Sequence, residues 1–275
     1  MMSTAVLDKL VRFQRLENSL PFAQSLDART LAGVFGGEET QYTLVVEDLD
    51  RQRKEVAARL ATSPVIGSHL QNLPFSEGVH LVAIGESTTA DRLSWFEILR
   101  TLVESHRPDL RLRFTNLAVS GATTTQALSM LPSIRRHEPD WLFCMLGSND
   151  CQRFDAPSGP LLVSPEETKR NLTELRARAL TRGEAEWVWL TPTRVDEERI
   201  ARFPFFAGSG ISWTNHDLNE MARKLPTGTD MVIDGSAASS ADAPGALADD
   251  GLHPSAQMQG ALAAEVVESL VEEGR

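Results

Sequence analysis

From residue 79 onward, short apolar runs alternate with longer amphipathic segments along the chain. Runs of this length are typical of strands that are buried on both faces of a parallel sheet. The predicted strands cover residues 79–84, 112–119, 140–146, 186–191 and 231–234.

The segments between these runs carry apolar residues at helical spacing. After the first strand, Leu93, Phe96, Leu99 and Val103 fall on one stripe of a helix. Five strands separated by helices predict an α/β fold with a doubly wound, five-stranded parallel sheet and right-handed crossovers. The predicted helices cover residues 90–106, 124–136, 165–182, 212–224 and 255–273.

Residues 1–75 do not follow this alternation. Their apolar spacing predicts a helix over residues 6–16, a strand over 41–46 and a charged helix over 50–61. We interpret residues 1–75 as a small N-terminal accessory α+β region and residues 76–275 as the α/β domain. The accessory region carries no motif with a recognisable chemistry.

The charge and the hydropathy of the chain exclude some classes of binding partner. The formal net charge is −11, and residues 1–75 contribute 8 basic and 9 acidic side chains to it. The main body is therefore strongly acidic, which disfavours nucleic acid and anionic membranes as partners. No apolar run approaches the roughly 20 residues that span a bilayer. Asp8 and Lys9 lie where an export signal needs its apolar centre, so we expect a cytoplasmic protein.

Polar residues follow the predicted strands at the ends where parallel sheets bind ligands. Ser87 follows the first strand, Gly121 the second and Asn149 the third, while Asp250 and His253 precede the final helix. Ligands of such sheets bind beyond the carboxyl ends of the strands. We therefore expect these five residues to share one site.

This set of residues fits acyl transfer through a serine nucleophile. Ser87 would attack, His253 would take its proton as general base, and Asp250 would orient the imidazole. The oxyanion of a tetrahedral intermediate needs preorganised donors. The candidates are the backbone N–H groups of Ser87 and Gly121 and the side-chain amide of Asn149. This chemistry needs no metal or cofactor.

Each of these residues also fits a simpler structural role. Ser87 stands where a helix cap is expected, Asn149 suits a turn cap, and Gly121 suits an ordinary turn. Asp249 is the alternative to Asp250 as the orienting acid. The remaining histidines lack metal-ligand spacing, and the glycine patterns of P-loops and dinucleotide sites are absent from the sequence.

Two loops after the third and fourth strands are candidates for substrate contacts. Residues 151–160 include Arg153, which suits either an anionic substrate group or the protein surface. Residues 193–211 include Phe205 and Phe206, which suit either a binding loop or a cover for the sheet edge.

The ordered motifs resemble those of the SGNH (GDSL-type) hydrolase superfamily. That family has a serine after the first strand, a glycine after the second, Gly-x-Asn-Asp after the third and Asp-x-x-His near the C-terminus. The matching residues here are Ser87, Gly121, Asn149, Asp250 and His253. The resemblance implies a flavodoxin-like three-layer α/β/α fold and a serine esterase that works through a Ser-His-Asp triad and an acyl-enzyme intermediate.

The resemblance covers roughly residues 78–273 and departs from the family at one position. The family's usual Gly-Asp-Ser is Gly85-Glu86-Ser87 here. The additional methylene of Glu86 changes the reach of the carboxylate beside the nucleophile, so this residue bears directly on the site.

Two further hypotheses use the same residues. An acyltransferase would pass the acyl group to a sugar or another alcohol in place of water. A non-enzymatic relative would bind a carbohydrate or an acyl group without turnover. For the esterase, the expected partner is a small-molecule ester; the sequence carries no signal for an oligomeric state.

Overall fold

A computed structural model describes residues 4–16, 20–155, 158–180, 185–238, 243 and 245–273. Its strands are β1 (His80–Gly85), β2 (Arg113–Asn116), β3 (Trp141–Met145), β4 (Arg153–Phe154), β5 (Glu186–Leu190), β6 (Ile211–Ser212) and β7 (Met231–Ile233). Five of them form a parallel sheet in the order β2-β1-β3-β5-β7, and β4 pairs with β6 in antiparallel fashion. This order is the flavodoxin-like one. The predicted five-stranded sheet is confirmed.

Helices precede the sheet and cover both of its faces. The predicted helix over 124–136 is two helices, because Pro132 lacks a backbone N–H and favours a helix start. Residues 181 and 182 of another predicted helix lie outside the described residues. The helices are α1 (Thr4–Phe13), α2 (Ala28–Val34), α3 (Glu39–Ala61), α4 (Pro64–Gln71), α5 (Ser87–Ala90), α6 (Trp95–His106), α7 (Thr124–Leu128), α8 (Leu131–His137), α9 (Pro165–Ala179), α10 (Glu197–Arg202), α11 (Pro204–Ser209), α12 (Asn215–Ala222) and α13 (Ala256–Glu273).

The central strand β1 shows why the fold has three layers. Successive side chains of a strand point to opposite faces of the sheet. Leu81 and Ala83 pack in a cluster with α6 and α13, whereas Val82 and Ile84 pack in a second cluster with α9 and α12. Both faces of β1 are therefore covered by helices, and the strand ends at Gly85, two residues before Ser87.

The strand predicted over residues 41–46 is wrong, because these residues belong to the long helix α3. Tyr42, Val45 and Leu49 are buried at helical spacing, while Leu44 is 60% exposed. A short apolar run does not distinguish a strand from a helix. Here the helical spacing continues into the charged segment that follows.

The helices of residues 4–71 pack against the α/β part of the chain. Leu7, Val11 and Tyr42 share a buried cluster with Leu93, and Val56 of α3 packs in the same cluster as α6 and α13. The division into a region 1–75 and a domain 76–275 stays a prediction. None of the described helices has the length and apolar character needed to cross a membrane.

Candidate active site

Ser87 lies at the turn from β1 into the short helix α5. Glu86 is extended and precedes the helix, so Ser87 is its first residue. The backbone N–H groups of a first helical turn have no partner within the helix. The Ser87 side chain faces a cleft and the residue is only 9% exposed, which suits a group that acts on a bound molecule.

His253 joins Ser87 to Asp250. Its Nε2 atom lies 3.0 Å from Oγ of Ser87, and its Nδ1 atom lies 2.8 Å from Oδ2 of Asp250. An ionised carboxylate only accepts hydrogen bonds, so the imidazole proton belongs on Nδ1. Nε2 is then free to accept the proton of the Ser87 hydroxyl. The structure thus brings these three predicted residues into one hydrogen-bonded line.

The loop around Asp250 fixes this orientation. Oδ1 of Asp250 accepts hydrogen bonds from the backbone N–H groups of Leu252 (3.1 Å) and His253 (3.0 Å). Gly251 permits the turn, since its φ is +73° and a β-carbon would lie 2.8 Å from the Asp196 carbonyl oxygen. Although burial alone would raise the pKa of Asp250, hydrogen bonds from His253 and Lys9 lower it well below its usual range. Asp250 is therefore an anion at neutral pH.

Two of the candidate oxyanion donors have no competing acceptor. Among the described residues, none accepts a hydrogen bond from the backbone N–H of Ser87 or Gly121. Gly121 is exposed with φ at +81°, a left-handed conformation that favours glycine. Asn149 lines the cleft, and its side-chain amide donates one hydrogen bond to the Ala122 carbonyl at 3.0 Å. That bond uses one of the two amide protons of Asn149.

Glu86 supports the loop that carries Asn149. Its two carboxylate oxygens accept hydrogen bonds from the backbone N–H groups of Ser148 (3.0 Å) and Asn149 (3.1 Å). The side chain is buried, and this burial raises the pKa of Glu86 to about 7. Hydrogen bonds from the Ser148 side chain and from the two backbone N–H groups oppose the rise, and the charge of the nearby Asp150 adds to it. The extra methylene is therefore accommodated by bridging to the end of β3.

The cleft around Ser87 is small and has one apolar wall. Its volume is about 20 Å³, far below the roughly 300–1,000 Å³ of drug-sized ligand pockets, so it has room for a small group only. The apolar side comes from Trp213 and Leu218, whose positions sequence reasoning did not single out. The lining residues are Glu86, Ser87, Thr88, Ser148, Asn149, Thr193, Val195, Trp213, Leu218, Leu252 and His253.

The predicted substrate-binding residues Arg153, Phe205 and Phe206 do not line this cleft in the described part of the chain. Arg153 donates to both carboxylate oxygens of Asp217 at 2.7 Å and borders a separate cavity. Phe205 is 67% exposed, and Phe206 is buried against Trp213. Their assignment to substrate binding stays a prediction without a contact to the site. The loop over 193–211 reaches the cleft through Thr193 and Val195 instead.

Helix α1 reaches the same site from the N-terminal region. Nζ of Lys9 lies 2.7 Å from Oδ2 of Asp250, and the centre of the Phe13 ring lies 4.5 Å from the centre of the His253 ring. Sequence analysis missed both contacts. The available signal was that Lys9 and Phe13, four residues apart, fall on one side of a helix. Across the described ranges, no group of three or more His, Cys, Asp or Glu side chains is placed to hold a metal ion.

We expect the substitution Glu86→Gln to remove a pH-dependent loss of stability. The pKa of Glu86 is about 7 in the folded protein against 4.5 for the ordinary value. The folded state therefore binds the Glu86 proton more tightly than the unfolded state does. The free energy of unfolding consequently falls as pH rises from about 4.5 to 7. From pH 5 to 7.5 the parent should lose about 2 kcal/mol of unfolding free energy relative to Glu86→Gln.

Urea unfolding at pH 5 and 7.5 measures this change. The control is Glu198→Gln, at an exposed carboxylate paired with Arg202, which should give the same difference from the parent at both pH values. A pH-independent difference between the parent and Glu86→Gln would show that the pKa of Glu86 is not raised.

Comparison with solved structures finds the same fold in an acetylxylan esterase and in an alpha/beta hydrolase enzyme. A catalytic mutant of an acetylxylan esterase from Geobacillus stearothermophilus is 19% identical and superposes with a TM-score of 0.57, covering 71% of this chain and 95% of that chain. LAE5, an alpha/beta hydrolase enzyme from the metagenome of Lake Arreo in Spain, is 22% identical with a TM-score of 0.54, covering 71% and 96%. Comparison with curated protein sequences gave no match.

The family model of the GDSL-like lipases and acylhydrolases matches residues 83–261. This range runs from within β1 to within α13 and contains each of the five predicted site residues. The chain belongs to the GDSL-like lipase/acylhydrolase family of ester-hydrolysing enzymes.

Proposed function

We propose that the protein is a serine esterase that hydrolyses carboxylic esters of short acyl groups, with Ser87, His253 and Asp250 as its triad. The observation that carries this proposal is the line of two hydrogen bonds from Ser87 through His253 to Asp250. A nucleophile, a base and an orienting acid in this arrangement are what acyl transfer through an acyl-enzyme requires.

In the first half of the reaction, Oγ of Ser87 attacks the ester carbonyl carbon while Nε2 of His253 accepts the hydroxyl proton. The carbonyl oxygen becomes an oxyanion, which takes hydrogen bonds from the N–H groups of Ser87 and Gly121 and from the amide of Asn149. The C–O bond to the alcohol then breaks, and the leaving oxygen takes the proton from Nε2. Ser87 remains acylated.

In the second half, water occupies the position of the departed alcohol. His253 removes a proton from this water, whose oxygen attacks the acyl carbon of the Ser87 ester. Collapse of the second oxyanion releases the carboxylic acid and returns the proton to Oγ of Ser87. The ionised Asp250 stabilises the imidazolium in both halves without taking its proton.

The cleft supports a short acyl group. Its small volume and the bulk of Trp213 and Val195 leave little room beside Ser87 for a long chain. An acetylxylan esterase is among the proteins with the same fold, and its name gives an acetyl ester as its substrate. We extend the short acyl group from that protein to this one.

Replacement of the nucleophile should abolish hydrolysis. We expect Ser87→Ala to lower kcat for p-nitrophenyl acetate by at least about 10⁴-fold, the usual loss when a triad serine is removed. Ser129→Ala, at an exposed serine on the loop after α7, should keep the parental rate. An organophosphonate should label the parent at Ser87. Equal turnover by the parent and Ser87→Ala, with no labelling, would refute the proposed function.

The oxyanion donor Asn149 should contribute to kcat more than to KM. We expect Asn149→Ala to reduce kcat by about 10²- to 10³-fold, since the lost hydrogen bond strengthens in the transition state. Asn219→Ala, an exposed asparagine on α12, serves as the control. An unchanged kcat in Asn149→Ala would remove this side chain from the oxyanion site.

The size of the cleft should set the preference for acyl length. We expect kcat/KM to fall at least about tenfold from p-nitrophenyl acetate to the hexanoate, because a small pocket discriminates by roughly that factor or more. Val195→Ala enlarges the cleft and should narrow this ratio, whereas Val232→Ala on the partly exposed strand β7 should leave it unchanged. A parental preference for the hexanoate would contradict the short-acyl assignment.

A further inference from the structure

Helix α1 is firmly seated against the site, although it lies outside the residues that the family model matches. Nε and Nη2 of Arg12 donate to the carboxylate of Asp91 at 2.9 and 2.6 Å, and Asp91 is fully buried. Nη2 of Arg12 also donates to the carbonyl oxygen of Pro254 at 3.0 Å, directly after His253. This arginine therefore fixes α1 to both the end of α5 and the loop of the base.

Lys9, on the same helix, and His253 donate hydrogen bonds to the same oxygen atom of Asp250. Oδ2 of Asp250 accepts from Nζ of Lys9 at 2.7 Å and from Nδ1 of His253 at 2.8 Å. The Lys9 ammonium also lies 4.6 Å from the centre of the Phe203 ring. Its position is thus defined from two sides, with the side chain 45% exposed.

The Asp250 carboxylate interacts with two groups that can be positively charged, Lys9 and His253. An ionised Asp250 alone would favour the imidazolium form of His253, which cannot act as a base. The positive charge of Lys9 partly offsets the negative charge of the carboxylate. The carboxylate therefore stabilises the imidazolium form of His253 less than it would without Lys9. The ring of Phe13 packs against the imidazole, with the two ring centres 4.5 Å apart.

We propose that Lys9 is a positioning residue that keeps His253 in its neutral, basic form at lower pH and holds Asp250 in place. This inference rests on the proposed roles of His253 and Asp250 in ester hydrolysis. It assigns a function in the site to a residue of the N-terminal region.

Other charged groups around the pair are already engaged. Arg12 is paired with Asp91, although its charge also interacts with that of Asp250, and Arg199 donates to the carbonyl oxygens of Leu247 and Ala248. Glu86 is buried and accepts from the backbone of Ser148 and Asn149, and Asp249 is exposed. Among the described residues, Lys9 and His253 are the charged side chains that donate to the Asp250 carboxylate.

The test is an NMR titration of the His253 side chain in the full-length protein, with ¹³C-labelled histidine and His253→Gln to assign the signal. We expect Lys9→Met to raise the midpoint of the His253 titration by about 0.5–1 pH unit, as removal of a nearby, partly exposed charge should. The acid limb of kcat/KM for p-nitrophenyl acetate should move to higher pH by the same amount.

Two variants separate this effect from a general change of charge or structure. Lys9→Arg keeps the positive charge and should restore the parental titration. Lys54→Met removes an equivalent charge from α3, where Lys54 pairs with Asp50, and should also leave the titration unchanged. A His253 midpoint in Lys9→Met that equals the parental one, or that Lys9→Arg does not restore, overturns the inference.

The titration is readable whether or not the protein hydrolyses esters. Turnover that survives in Ser87→Ala would reject the proposed esterase, while the His253 midpoint would still decide the effect of Lys9. A parental midpoint in Lys9→Met alongside a normal loss of activity in Ser87→Ala would reject the Lys9 inference alone.

Discussion

The buried carboxylate of Asp250 is the constraint on which the arrangement of the site depends. A buried anion is costly unless hydrogen bonds surround it. Two backbone N–H groups satisfy Oδ1, and His253 and Lys9 satisfy Oδ2. These donors fix the turn at Gly251 and the rotation of the imidazole at once. Nε2 of His253 consequently faces Ser87 across 166 positions of the chain.

Glu86 is a second buried carboxylate with the opposite electrostatic outcome. It accepts hydrogen bonds from two backbone N–H groups, and no Lys, Arg or His of the described residues pairs with it. Burial and the nearby Asp150 therefore raise its pKa to about 7. Asp250 has similar backbone donors, and the hydrogen bonds from His253 and Lys9 reverse the balance. The difference fits the two positions: Asp250, which is bonded to His253, stays charged, while Glu86 supports the loop that carries Asn149.

Local patterns were sufficient to predict the sheet and to select Ser87, Asn149, Asp250 and His253. Ser87 and Asn149 each follow a strand, and Asp250 and His253 precede the last helix. The contacts of Lys9 and Arg153 were beyond such patterns, because their carboxylate partners lie 241 and 64 positions away. A lysine on a helix gives no sign of which distant loop it meets. The error over residues 41–46 has another cause. A short apolar run fits both the strand period of two and the helix period of about 3.6, and the burial of Leu49 beyond the run reveals the helical spacing.

The two carboxylates also differ in how solvent reaches their partners. The charge of Lys9 acts from a side chain that is nearly half exposed, so dissolved ions screen part of its effect on His253. Glu86 itself is buried, and its protonation is set by that burial, by hydrogen bonds from Ser148 and Asn149 and by the buried Asp150, which dissolved ions reach less readily. Ionic strength therefore acts on the base through α1 and has less effect on Glu86. Through Lys9, the N-terminal helix would therefore make the proposed chemistry sensitive to the ionic strength of the solution.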